Sequence, residues 1–251
     1  MQAYRGVRNM INSVKELDAA LVEFNKVADL SNEELKKFVE RSFEAGKQLG
    51  RTGTDVLQAS ARFKQAGYDV SESFSLAQTS LMMMNVGDGI ESAERAASDL
   101  IAALKGFQLD VSESQTVLDA LNNTSNNTAI SFDALSEGVR RVSGTLAQTG
   151  TTMQQTMGLL VGGFSSLRNI EKVSSGLVMI SQRLRAVSED GEAIEGLAPK
   201  LESAFQELVG VSIMDQHGNL RSTYDLLADL RKRWAHLTSA QQGYIGSLVA
   251  G

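Results

Sequence analysis

The chain has no cysteine, a single proline and only two histidines among its 251 residues. Without cysteine it can form neither disulfides nor thiolate metal sites. With two histidines it has little material for general acid–base catalysis. Aromatic residues make up 6% of the sequence, and alternating runs of β-branched and aromatic residues are nearly absent, which disfavours sheet. These absences predict a mainly helical protein without catalytic residues, metal or cofactor.

Positive charge and long apolar runs are also scarce. The net charge of −6 disfavours the DNA phosphate backbone as the main ligand, and no specific nucleic-acid partner is predicted. No run of about 18 apolar residues occurs, so no membrane-spanning helix is predicted. The N-terminus lacks the apolar core of a signal peptide. Because the sequence opens within a polar segment and stops within a helical pattern, we expect a fragment of a longer protein.

A helix stop followed by a helix start occurs three times. Each copy has a glycine that can end a helix in the left-handed conformation, then an N-cap residue, then Glu or Gln three residues after the cap. The glycines are Gly67, Gly106 and Gly150, the caps are Asp69, Asp110 and Thr152, and the partners are Glu72, Glu113 and Gln155. The caps lie 41 and 42 residues apart, a period typical of two-helix repeats.

Further start signals divide the rest of the chain. They are capping boxes at Ser13/Glu16, Ser31/Glu34, Thr52/Asp55 and Asp88/Glu91, and a cap at Ser131. Residues 122–128, which are Asn, Ser and Thr, predict a frayed end and a loop. Each helix has one apolar stripe that needs a neighbour to cover it. We therefore predict an all-α fold in which helical hairpins stack into a superhelical or solenoid-like layer.

Three segments differ in pattern. Residues 1–30 predict an amphipathic helix, residues 31–168 contain the repeated hairpins, and residues 169–251 form a C-terminal helical subdomain. The stripe of the first helix consists of Val14, Leu17, Leu21, Phe24 and Ala28. Two heptads are too few to establish a coiled coil, although the pattern is compatible with one that continues from an upstream region.

One stretch of the C-terminal subdomain breaks the helical pattern. Residues 211–221 contain two short extended arms around a turn from Asp215 to Gly218. This arrangement predicts one small β-hairpin. His217 lies beside Asp215, and the pair is better explained as a polar turn than as a metal site, which would need more ligands.

The only candidate for partner binding is weak. Met82, Met83 and Met84 are adjacent, and three consecutive residues of a helix cannot all face one way. At least one should therefore face solvent or a partner, while the others fill the core. The spacing Gly158-x-x-x-Gly162 predicts close helix packing within a hairpin. The cluster from Arg231 to Arg233 favours a solvated helix end over nucleic-acid binding.

Short motifs spread over nearly the whole chain form a recognisable pattern. They are Ser13-Val-Lys-Glu-Leu-Asp18, Leu49-Gly-Arg-Thr52, Ala66-Gly67, Gly106-Phe-x-Leu-Asp110, residues 129–135, residues 210–220, Trp234 and residues 237–242. With them the sequence resembles the conserved core of phage tail tape measure proteins. Each motif is short. The resemblance therefore depends more on the spread of the motifs over nearly the whole chain than on any one of them.

The resemblance implies a virion structural protein, of a phage or prophage, that is assembled in the bacterial cytoplasm. Tail tube protein would assemble around it, its length would set the tail length, and it would contact assembly chaperones and tail-tip proteins. It would leave ahead of the genome at ejection, the one stage at which membrane contact is implied. A homo-oligomer is compatible with this role. Because hairpins fold back the rise of about 1.5 Å per residue, this region would be a compact head or anchor, not the ruler.

Two other functions remain open at this point. The first is a membrane-active or wall-active ejection factor, and the second is an unrelated α-solenoid adaptor. Liposome permeabilisation or peptidoglycan clearance would favour the former. A gene neighbourhood without tail genes would favour the latter.

Overall fold

The structure is a computed structural model that describes the backbone of residues 2–251 and the side chains of residues 11–251. Over this range it contains twelve α-helices and no β-strand, which confirms the all-α class. None of these helices is long and apolar enough to cross a membrane. The helices are α1 (Gln2–Ala28), α2 (Asn32–Leu49), α3 (Gly53–Gln65), α4 (Val70–Val86), α5 (Ala93–Gly106), α6 (Ser114–Asn126), α7 (Phe132–Ala147), α8 (Met153–Leu167), α9 (Ile170–Leu184), α10 (Leu197–Ala204), α11 (Thr223–Trp234) and α12 (Ser239–Ala250).

Four turns between helices share one hydrogen-bond pattern. A left-handed residue ends one helix, and the amide after it donates to the carbonyl five residues earlier, as in a Schellman motif. An N-cap residue follows two positions after the left-handed residue, and its backbone amide donates to the side chain of its N3 partner. The left-handed residues are Gly50, Gly67, Gln108 and Gly150, with φ of 66°, 92°, 54° and 72°. The capping boxes predicted at Ser31, Thr52, Asp69 and Thr152 are confirmed. At Asp110 one half of the box is seen, the hydrogen bond from the Asp110 amide to the Glu113 carboxylate at 2.8 Å.

One of the predicted glycine stops is wrong. Gly106 is the last helical residue of α5, and Gln108 adopts the left-handed conformation in its place. The repeat therefore aligns on Gln108, and the turn at Gly50 is a fourth copy. Gly106 has a packing role, because a Cβ atom there would lie 2.4 Å from the Cβ atom of Ser143.

Replacing Gln108 with glycine should raise the free energy of unfolding by about 1 kcal/mol, because a non-glycine residue in the left-handed region costs roughly 1–2 kcal/mol. Guanidinium unfolding followed by circular dichroism measures the change. The control is Gln115→Gly on the exposed face of α6, where the backbone is helical. That variant should lose up to about 1 kcal/mol. A loss in both variants would contradict the left-handed turn.

Two predicted helix starts are wrong. Ser13 lies inside α1, which runs without a break because its apolar stripe continues across this position. Asp88 does not cap a helix, since Gly89 beside it is left-handed and α5 begins only at Ala93. There the Oγ atom of Ser92 accepts a hydrogen bond from the Arg95 amide at 3.2 Å.

The polar stretch at residues 122–128 and the stretch at 211–221 also differ from expectation. Helix α6 continues to Asn126, so most of the predicted loop is helical. In the second stretch, one isolated antiparallel bridge between Met214 and Leu220 takes the place of the predicted β-hairpin. The Asp215 carboxylate closes the turn by accepting backbone hydrogen bonds from His217 and Asn219. Pairing of the two arms is limited to the bonds from the Asp215 amide to the Asn219 carbonyl and from the Arg221 amide to the Ile213 carbonyl.

The described chain divides into two compact units. The N-terminal unit comprises the residues up to Leu104 with Leu109–Asn123 and Ser131–Asp133, and the C-terminal unit comprises Lys105–Gln108, Thr124–Ile130 and Ala134–Gly251. These units are defined by packing, and the three-segment division made from the sequence pattern stays a prediction.

In the N-terminal unit, α3 packs against α1, α2 and α4. Its core is aromatic: the rings of Phe24 and Phe38 stack with centroids 4.2 Å apart, and Phe38 meets Phe74 edge-on at 5.6 Å. Phe24 and Phe63 are completely buried. Such aromatic pairs add to the free energy of burial. Among the described side chains of α1, residues 11–28, those of Ala20 and Phe24 are buried in this core.

In the C-terminal unit, α9 and α10 pack against α12 around a core that includes the fully buried Phe205. A chain of buried hydroxyls joins three elements: Thr223 lies 3.1 Å from Thr149 and donates to Ser181 at 3.0 Å. The Arg183 guanidinium donates to the carbonyls of Ser247 and Leu248 and so caps the end of α12. These polar contacts hold α9, α11 and α12 in fixed mutual positions.

Candidate functional site

The three methionines proposed for partner binding lie on α4 in the N-terminal unit. Met83 is completely buried, Met84 is 9% exposed, and Met82 is half-buried. The structure therefore places two of the three in the core and leaves Met82 as the one with accessible surface. Partner binding by this cluster stays a prediction.

A groove between α1, α2 and α3 presents larger apolar side chains, and we name it the α1 groove. Val14 is 66% exposed and Phe43 is 46% exposed, with the half-buried Leu17 between them. The ring of Phe43 covers Gly53, where an added Cβ atom would lie 2.7 Å from the ring. Acidic residues of the groove lining are Glu16 and Asp55. This arrangement can receive an apolar segment that carries positive charge.

A second groove lies in the C-terminal unit between α8 and α11. Gly158 and Gly162 line it, and a Cβ atom added to either would meet nothing within 4 Å. The prediction that these glycines permit tight packing within a hairpin is wrong, because their faces are open. Gly163 has that role, since its added Cβ atom would lie 2.7 Å from Val173. The rest of the lining consists of Leu159, Tyr224, Leu227, Ala228 and Arg231.

A third groove lies along α9 and mixes apolar and charged groups. Its charged lining includes Arg141 and Arg183, and both guanidinium groups already have protein partners. Arg141 pairs with Glu171 at 2.8 Å, and Arg183 caps α12. Because these cations are engaged within the fold, the groove has no free positive charge for an anionic ligand.

The candidate metal pair is a polar turn. The Asp215 carboxylate accepts from the amides of Asn219 and His217, each at 2.8 Å, and from the Asn219 side chain. These bonds, led by the one from the Asn219 amide, hold the pKa of Asp215 below its usual value. Among the side chains of residues 11–251, no group of three or more His, Asp or Glu is placed to hold a metal ion.

The basic cluster at the end of α11 is largely tied into the fold. Lys232 pairs with Asp229 at 2.8 Å, and Arg233 donates to the carbonyl of Val209 at 3.3 Å. Asp229 also pairs with Arg221 at 2.6 Å. Hydrogen bonds from Lys232 and Arg221 lower the pKa of Asp229. The cluster therefore serves mainly to stabilise the end of this helix.

Replacing Asp229 with asparagine should lower the free energy of unfolding at pH 7 by about 1 kcal/mol, because two ion pairs are lost. Folding lowers the pKa of Asp229, so its contribution is present above the unfolded value of about 4. It is lost as the pH falls through the lower folded value. The stability difference between the two proteins should therefore shrink from pH 7 to pH 3 in urea unfolding. A difference that stays constant over this range would contradict the assignment.

Sequence reasoning missed Phe43 as a surface residue. Ser42 and Phe43 are adjacent in α2, so the two side chains cannot both face inward. The structure buries Ser42, whose hydroxyl donates to the Phe38 carbonyl at 2.8 Å. The signal available in the sequence was Gly53, which leaves room for an aromatic ring to lie over α3.

Comparison with known proteins places this helical chain in a family. Residues 40–251 match a family model described as phage-related minor tail protein. The match covers α3 to α12 and most of α2, including all four Schellman-type turns. No solved structure matches the chain. Since the match extends over more than half of the sequence, the chain belongs to the phage-related minor tail protein family.

Proposed function

We propose that this chain is the helical core region of a phage or prophage tail tape measure protein. Membership of the minor tail family implies a virion tail component that contacts other tail components. The proposal narrows this role to tail assembly and length determination, with participation in genome ejection and no catalytic step in these residues. The family match over residues 40–251 is the observation that carries it.

The positions of the resemblance motifs in the fold support the proposal. The segments at Leu49-Gly-Arg-Thr52, Ala66-Gly67 and Leu109-Asp110 all lie at the repeated helix turns. Arg51 of the first motif donates to the Met84 carbonyl at 2.8 Å and so caps α4. These three motifs therefore contain residues that fold the chain back on itself, and sharing them predicts a shared helical body.

The lengths of the helices suggest which part of a tape measure this would be. Helices α2 to α12 contain at most 18 residues each, about 27 Å at 1.5 Å per residue. Such folded segments add little length along a tail, so this region would be a body or anchor on a longer ruler. The predicted stacking of hairpins, and contacts with tail tube protein, chaperones and tail-tip proteins, belong to this proposal.

Deletions in the phage that carries the gene test the proposal. In-frame removal of helical sequence outside residues 1–251 should shorten the tails in proportion, as measured by electron microscopy. Removal of an equal length within residues 31–168 should block assembly, because it destroys the packed body. Tails of unchanged length in the first case would overturn the tape measure assignment.

A second experiment separates the proposal from the ejection-factor alternative. The purified chain is added to dye-loaded liposomes of phosphatidylethanolamine and phosphatidylglycerol, and to labelled peptidoglycan. An assembly body should release neither dye nor wall fragments. Release in either assay would support the alternative function.

A further inference from the structure

We propose that the groove along α9 binds an amphipathic helix that carries lysine or arginine and belongs to another tail component. The apolar part of this groove, which we name the α9 groove, consists of Val178, Met179, Val187 and Ile194. Met179 is 44% exposed, and the other three are half-buried. Apolar side chains that line one groove together form a surface that the apolar face of a helix can cover, and a flexible methionine adapts to such a partner.

The loop that follows α9 completes the α9 groove and is itself well ordered by hydrogen bonds. An antiparallel bridge joins Val187 to Ala193 and brings Val187 and Ile194 into the lining. The side-chain amide of Gln182 on α9 donates to the Glu189 carbonyl at 3.4 Å and holds the loop against the helix. A partner therefore does not have to order this loop when it binds.

The charges around the α9 groove determine which partner it can receive. The segment 188–195 contains four exposed carboxylates, and within residues 11–251 none of their side chains forms an ion pair or a hydrogen bond. They are Glu189, Asp190, Glu192 and Glu195. The two arginines of the lining, in contrast, are engaged with Glu171 and with the end of α12. The groove therefore presents negative charge, which favours a basic partner and disfavours nucleic acid and anionic lipid.

A buried hydroxyl in the lining is a further sign that the groove is incomplete without an occupant. Ser174 is 1% exposed, and its Oγ atom has no hydrogen-bond partner. Among the four hydroxyls of this kind in residues 11–251, that of Ser174 is the one whose residue lines a groove described above. A buried polar group without a partner is unfavourable, so an occupant that bonds this hydroxyl would gain affinity.

A second copy of this chain is a poorer fit than a different tail component. The chain has a net charge of −6, and two of the three residues in its basic cluster, Lys232 and Arg233, already have partners in their own fold. Membership of the minor tail family implies contact with other tail components. The inference does not rest on the tape measure proposal, and its failure would leave that proposal intact.

Fluorescence anisotropy with the whole chain tests the charge preference of the groove. The probe is a labelled peptide of about four helical turns that contains only leucine and lysine in an amphipathic pattern. The comparison peptide has glutamate at every lysine position. At physiological ionic strength, the lysine peptide should bind saturably with one peptide per chain, and the glutamate peptide should bind at least about tenfold more weakly. Absence of binding, or equal binding of both peptides, would overturn the proposal.

Substitutions of exposed residues show whether the lysine peptide occupies this groove or is attracted to an acidic chain in general. Met179→Ser should weaken binding at least about fivefold, whereas Met214→Ser, at a 43% exposed methionine outside the lining, should leave the Kd unchanged. Glu189→Lys should weaken binding by a similar factor. Its control is Glu91→Lys, which changes the net charge equally at an exposed residue of the N-terminal unit. Equal effects within either pair of variants would refute binding in the α9 groove.

Sedimentation of the chain without peptide tests whether a second copy fills the groove instead. The oligomeric state should be the same for the unaltered chain and for Met179→Ser over a hundredfold range of concentration. An oligomer that Met179→Ser dissociates and Met214→Ser leaves intact would place a second copy in the α9 groove and overturn the proposal.

Discussion

Replacing Phe24 with alanine should lower the free energy of unfolding of the N-terminal unit by about 3–5 kcal/mol. The side chain is completely buried and stacks on Phe38 at 4.2 Å, so its removal leaves a cavity at the junction of α1 with α2. The substitution also removes the first ring of the aromatic row formed by Phe24, Phe38 and Phe74. Among residues 11–28, the part of α1 whose side chains the structure describes, Ala20 is the one other buried side chain. We therefore expect this helix to detach before the rest of the unit unfolds.

Hydrogen exchange read by mass spectrometry measures the detachment, and guanidinium unfolding measures the total loss. The control is Val22→Ala on the same helix, whose side chain is half exposed and should change stability by less than about 0.5 kcal/mol. If Phe24→Ala left the exchange of α1 unchanged, the contact with α2 would not be what holds this helix.

The second large effect should come from Gly106→Ala, which we expect to destabilise the C-terminal unit by about 2 kcal/mol. The added Cβ atom would lie 2.4 Å from Cβ and 2.5 Å from Oγ of Ser143. A rotamer change of Ser143 can move Oγ away, but it leaves Cβ in place, so the backbone would have to shift. Overpacking of this kind costs roughly 1–3 kcal/mol. The cost should exceed the gain of up to about 1 kcal/mol that alanine normally brings to a helix.

Gly144→Ala is the matched control, because the added Cβ atom of this helical glycine would meet nothing within 4 Å. It should therefore stabilise the protein by up to about 1 kcal/mol. Combining Gly106→Ala with Ser143→Gly should recover at least about 1 kcal/mol relative to the sum of the single changes. If Gly106→Ala and Gly144→Ala gave the same gain, the close approach of Gly106 to Ser143 would be refuted.

The parts of the fold that the sequence predicts correctly are those whose signals are local. The boxes at Thr52, Asp69 and Thr152 are readable because the stop, the cap and its partner lie within six residues of one another. Gly106 was misassigned because a glycine can be required either by a left-handed helix end or by close packing, and the sequence does not distinguish the two. The reason that applies, the approach of Ser143, comes from a residue 37 positions away.

The surfaces were harder to predict because they too depend on contacts between residues that are distant in the sequence. Whether Gly158 is covered by a neighbouring helix depends on how helices distant in sequence pack, and the spacing of the glycines alone does not determine this. The burial of Met83 and the exposure of Phe43 likewise depend on which side of a helix its neighbours occupy. At Ser13 a capping signature was present, but the apolar stripe on both sides of it favoured a continuous helix.

The repeated turns have a consequence for the way this protein is made. Each turn is closed by bonds between residues close in sequence, so it can form as soon as roughly ten residues have left the ribosome. The helices α2, α3 and α4 can then dock while the remainder of the polypeptide is still being translated, since synthesis adds only about 5–20 residues per second. A nascent chain of this kind conceals its apolar stripes early, so less aggregation-prone surface is exposed during synthesis.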